Sequence, residues 1–130
     1  MINAPEFGVS DDLLRSYGLR RGASHLVTYC CPSPDAVEIP IDRLSGRKIA
    51  AAGQTVDPQR LERIVKSLSR GELIDAIPVY REPAAKQPLV LLDGAHRLAI
   101  LAALGFRSVW CRYVSREDAQ TLYGFAEGEG

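Results

Sequence analysis

Three observations in the sequence predict one small α+β (α/β) domain, a mixed β-sheet flanked by helices. Short apolar or alternating segments (VEIPIDRL, AIPVYRE, LVLLD, SVWCRYV) take turns with segments of helical periodicity. The chain has 130 residues, 46% of them hydrophobic, which suffices for one core and is short for two. No stretch reaches the ~18 apolar residues of a membrane span, and the first residues show no basic segment leading into an apolar one. A cytoplasmic protein with no membrane partner is therefore expected.

Taken in order, Ser10 is placed to cap a helix over Asp11–Tyr17, with acidic residues in its first turn and Gly18 as its stop. The β-formers of HLVTYC predict a strand over His25–Cys30, and CPSPD breaks it. Residues 1–35 read as an N-terminal extension of a main domain spanning 36–125. That domain opens with a half-buried strand over Val37–Leu44, in which Pro40 marks an edge position or the strand's end. GRKIAAAGQTV reads as loop or short strand. Asp57 then caps a helix with Pro58 in its first turn; Leu61, Ile64, Val65 and Leu68 form its buried face, and Gly71 ends it. Strands AIPVYRE and LVLLD follow, joined by the Pro-bounded turn EPAAKQP. A helix over Ala95–Leu104 closes at Gly105, and a strand runs over Ser108–Val114. Ser115, with Asp118 three positions on, starts a last helix reaching about Gly124. Residues 126–130 (AEGEG) form a frayed tail.

Sixteen basic and sixteen acidic residues cancel, so no overall field draws the chain to nucleic acid. Cys30, Cys31 and Cys111 are odd in number, two of them adjacent, and supply neither a disulfide framework nor a zinc spacing. They read as small reduced core residues.

Chemistry concentrates at LLDGAHRLAILAALG, where a strand runs into a helix. A helix start leaves backbone N–H groups without intrahelical partners and carries about half a positive charge, which favours anions. Gly94 permits a sharp turn and close approach of a ligand. His96 and Arg97 add directed donors, and a guanidinium can grip phosphate through two hydrogen bonds. The plainer alternative is that Asp93 caps the helix and His96 and Arg97 face solvent. On the preceding helix, Arg60, Arg63 and Ser67 fall at i, i+3 and i+7, a polar stripe along one edge. Packed beside the joint, that stripe would form the second wall of a polyphosphate pocket; packed elsewhere, it is a solvated face.

These motifs give the chain a resemblance to the ParB N-terminal and sulfiredoxin-like superfamily over about Val37–Val114. In sulfiredoxins a basic residue, then small polar residues three and seven positions on, bind ATP phosphates; Arg60, Arg63 and Ser67 hold those places, with Arg63 departing from the pattern. The Gly-Cys-His-Arg turn of that family is similar to Gly94-Ala95-His96-Arg97, and Ala95 in place of the catalytic cysteine excludes sulfinic acid reduction. ParB proteins use a related turn for CTP but carry a helix-turn-helix domain downstream. The Asp-Gly-x-His-Arg form resembles the free serine kinases most, although GRKIAAAGQTVDP shows no counterpart to their acidic motif. The resemblance implies a nucleotide-binding domain for ATP, ADP or CTP with Mg²⁺, and phosphoryl transfer to a small-molecule or protein acceptor, or nucleotide hydrolysis.

Asp93, beside the expected phosphates, is the candidate base or Mg²⁺ ligand. Glu38, on the first strand of the resembling region, is a second acidic candidate, although an outward-facing strand carboxylate is more often simply solvated. Trp110 and Tyr113 could stack on a base, although alternation places Trp110 in the core. His25 reads as an ordinary strand residue. Two other readings stand beside nucleotide binding: a DNA-associated partition accessory or ParB-like nuclease, and a non-catalytic interaction module with a degenerate pocket.

Overall fold

Strict alternation along the central strands sets the architecture, because each strand sends its side chains to opposite faces in turn. The computed structural model describes residues 9–29, 31, 33–45, 57–81 and 89–125. Its elements are α1 (Asp11–Arg15), a 3₁₀ turn (Ser24–Leu26), β1 (Val37–Pro40), a second 3₁₀ turn (Ile41–Arg43) and β2 (Leu44–Ser45). There follow α2 (Pro58–Ser69), β3 (Ile77–Arg81), β4 (Leu89–Leu91), α3 (Ala95–Ala103), β5 (Ser108–Tyr113) and α4 (Arg116–Tyr123). The expected α+β class is what forms.

The five strands make one mixed sheet in the order β1-β5-β3-β4-β2. Pairing is antiparallel for β1–β5 and β3–β4 and parallel for β3–β5 and β2–β4. Only the three residues of the second 3₁₀ turn separate the two edge strands. From Pro40 to Leu44 the chain spans at most ~14 Å, whereas the edges of a flat five-stranded sheet lie ~19 Å apart. The sheet therefore has to curl.

One face carries Ile77, Val79, Leu89, Leu91, Val109 and Cys111, packed against Leu61, Val65 and Leu68 of α2 and Leu98 and Leu101 of α3. The alternate positions, Val90, Leu92 and Val114, meet Ala119 of α4 and Phe125. Because both faces are covered, LVLL is continuously apolar. Burial pushes the Cys111 thiol up to about 12, which leaves it protonated and inert at neutral pH.

Three expectations change. HLVTYC forms no strand over its described part: Ser24–Leu26, His25 included, is a 3₁₀ turn, and the residues after it go to packing. The expected strand Val37–Leu44 is broken by the turn at Ile41–Arg43, so one stretch of sequence supplies both sheet edges. Pro40 ends β1, as its missing N–H suggested. The N-terminal segment is also no mere appendage: Val9, Leu14 and Leu19 lie in the main core, with Leu14 fully buried. Expectations for residues 46–56, the turn at 82–88 and the tail 126–130 fall outside the described residues.

Candidate functional site

The joint before α3 is built around a left-handed glycine. Gly94 is the N-cap of α3 at φ +90°, and no side chain caps this helix. Asp93 therefore does not cap; it lies exposed at the rim. A Cβ at position 94 would stand 2.8 Å from Arg97 Nη2 and 2.9 Å from Arg97 Nε, because the guanidinium folds back over the turn. The backbone angle favours glycine here, and a side chain at this position would push the guanidinium of Arg97 aside.

Arg97 is held in that position. Its Nη1 donates to the carbonyl oxygens of Asp75 (2.8 Å) and Ala76 (3.3 Å), just before β3. The opposite Nε–Nη2 edge lies over Gly94.

His96 takes a role the sequence did not reveal. It is 8% exposed, and its Nε2 accepts the backbone N–H of Asp57 at 3.0 Å. That nitrogen therefore carries a lone pair and cannot donate to a phosphate in this arrangement. Burial first, then the charge of Arg60, holds the imidazole below its ordinary pKa, against the opposite pull of Asp57 and Asp93. His96 clasps the starts of α2 and α3 together.

The start of α2 differs chemically from that of α3. The Asp57 carboxylate accepts from Gln59 N (3.0 Å) and Arg60 N (3.4 Å). An anion would compete there with a carboxylate already in place, so α2 offers side chains rather than backbone donors.

Two adjoining recesses result. The inner, about 210 Å³, is lined by Arg60, Ile64, Asp93, Gly94, His96 and Arg97. The outer, about 340 Å³, extends along α2 past Arg63 and Ser67 to Leu73, Ile74 and Asp75. Arg60, Ile64 and Arg97 belong to both, so the arginines of α2 and α3 face one cleft. Ala95, in the first turn of α3, is half-buried and packs toward the core. Glu38 is not brought to this cleft: it is exposed on β1, opposite Trp110 of β5. Trp110 is half-buried and outside both core clusters, contrary to its expected core place, and Tyr113 is exposed beside Arg81.

Searches against family models, curated proteins and solved structures find no match to this chain.

The donor set suits phosphate oxygens: three guanidiniums face the cleft, tempered by Asp75 and Asp93. Among the described residues no cluster of three or more His, Cys, Asp or Glu could hold a metal by itself. Mg²⁺ ordinarily binds through one or two carboxylates together with the ligand's own phosphates, and Asp75 and Asp93 are the carboxylates that line the two recesses. Also among the described residues, no helix is long and apolar enough to cross a membrane.

Proposed function

We propose that the cleft between α2 and α3 binds the polyphosphate of a nucleotide (ATP, ADP or CTP), and that the chain is a ParB/sulfiredoxin-like nucleotide-binding domain. The observation that carries this is the convergence of Arg60, Arg63 and Arg97 on one cleft at the glycine-led start of α3. Arg97, anchored through Nη1 with its guanidinium over Gly94, supplies positive charge at the start of α3, while Arg60 and Arg63 neutralise charge from the opposite wall. His96 contributes by fixing the distance between the two walls.

Phosphoryl transfer asks a protein mainly for positioning and charge stabilisation. Asp93, beside Gly94 and solvent-accessible, is the group to accept a proton from a hydroxyl acceptor or to share a Mg²⁺ with the phosphates. A small-molecule or protein acceptor, or water, completes such a reaction.

The test is thermal unfolding and titration calorimetry with ATP, ADP, CTP and inorganic tripolyphosphate, with and without Mg²⁺. A ligand at one hundred times its Kd stabilises by about 2.7 kcal/mol. Arg97→Ala should abolish that gain and keep a cooperative melt. Absence of a shift with every one of these ligands, or affinity unchanged in Arg97→Ala, refutes the reading.

A further inference from the structure

A second recess of about 400 Å³ is formed by Tyr29, Cys31, Ser33, Pro34, Ala36 and Trp110. Its volume is within the range of small-molecule sites. Its described lining carries no charged side chain: an indole and a phenol supply flat apolar surface, and a thiol and a hydroxyl supply weak and ordinary hydrogen-bonding groups.

The indole has a reason to be there rather than in the core. Parity along β5 puts Trp110 on the face of Val114, yet the cluster under α4 does not include it. The backbone around it is also tied off. Val114 N donates to Val79 O (2.9 Å), so by alternation the Trp110 N–H points toward the β3 side. β3 begins only at Ile77, which pairs with Cys111, so among the described residues no strand lies beside Trp110 on that side, while β1 pairs with it on the other. The Tyr29 hydroxyl fills that place, accepting the Trp110 N–H at 2.9 Å, while its ring packs edge-on against Phe106 (centroids 5.3 Å apart). Tyr29 is thus a fixed wall. It stands at the end of the sheet where Asp75 and Ala76 hold Arg97.

We propose that this recess binds an uncharged planar ring, stacked on Trp110 against the Tyr29 wall, with Ser33 and Cys31 meeting heteroatoms on the ring's edge. The ring can come from two sources of the same chemistry: the base of a nucleotide held in the arginine-lined cleft, or a separate neutral aromatic molecule. The site does not rest on the phosphate reading, because nucleosides without phosphate probe it alone.

The chain contains a single tryptophan, so emission excited at 295 nm reports on this recess only. Adenosine, guanosine, cytidine, uridine and indole are titrated into the full chain, with ATP and tripolyphosphate in parallel. At least one neutral ring should quench saturably, and tripolyphosphate should not. Ala36→Leu and, independently, Ser33→Leu, which line this recess and not the arginine-lined cleft, should remove the saturable quench; the second keeps the test decisive if the first misfolds. If the base of a cleft-bound nucleotide is the ring, a nucleoside triphosphate binds about tenfold or more tighter than tripolyphosphate, and the same variants erase that advantage. If the ring is a separate molecule, it quenches with ATP affinity unaltered by those variants. Linear, non-saturating quenching by every neutral ring, or saturable quenching that survives both variants, overturns the proposal. Failure of tripolyphosphate to bind counts against the cleft alone.

Discussion

Protonating His96 would break the clasp between the starts of α2 and α3. In its neutral form Nε2 accepts the Asp57 N–H; protonated, it would set a donor against a donor and add a charge beside Arg60. Its folded pKa lies below the unfolded value of about 6.5, so the stability tied to this clasp is complete above that pH and is lost as pH falls through the folded value. Urea unfolding at pH 7.5 and at pH 5 should show a drop that is smaller in His96→Phe, which cannot titrate. An equal drop in both proteins would assign the pH dependence to other groups. Bound phosphate acts in the opposite sense on the imidazole, since a nearby anion favours its cationic form.

At the scale of the element, α2 does two jobs on different strips of its surface. Leu61, Val65 and Leu68 are buried, while Arg60, Arg63 and Ser67 run along the cleft. The register between the strips is set where the helix starts, at Asp57. Asp57→Ala removes the acceptor for Gln59 N and Arg60 N and should cost about 1 kcal/mol in denaturant unfolding. It should also weaken tripolyphosphate binding, because Arg60 rides on that first turn. This helix was legible because Asp57-Pro58 and the apolar spacing act locally, and so was the stripe. Ile64 is only half-buried because it floors the cleft instead of joining the core completely. The clasp between His96 and Asp57 was not legible: the residues are 39 apart, and nothing near His96 in sequence says that its partner is a backbone N–H. HLVTYC misleads for a related reason, since strand propensity depends on finding a sheet edge. Here Tyr29 reaches the sheet through its hydroxyl rather than its backbone. Glu38 was named as an acidic residue on the first strand of the main domain, and its place in the sheet became visible only through its pairing with Trp110.

Across the whole molecule, the curl of the sheet and the seating of the N-terminal segment decide where anything can bind. The strand order puts β1 and β2, neighbours in sequence, at opposite margins, and the curl brings those margins within reach of a three-residue turn, while α2 and α3 cover one face. The segment from Val9 to Tyr29 fills what those helices leave open. Leu14→Ala should therefore cost about 2–5 kcal/mol in chemical denaturation, a core-sized penalty from a five-residue helix near the chain's start. A loss below ~1 kcal/mol would mean that the segment is only loosely attached. The same segment ends its first loop at Gly22, whose N–H donates to Ala103 O (3.0 Å) and whose Cα lies 3.2 Å from where a Cβ on Gly105 would be. α3 is thus gripped at its far end by a loop with no secondary structure of its own. Deuterium should consequently enter the Gly22 amide as slowly as it enters the middle of α3, and a protease should find that loop resistant until the entire molecule lets go.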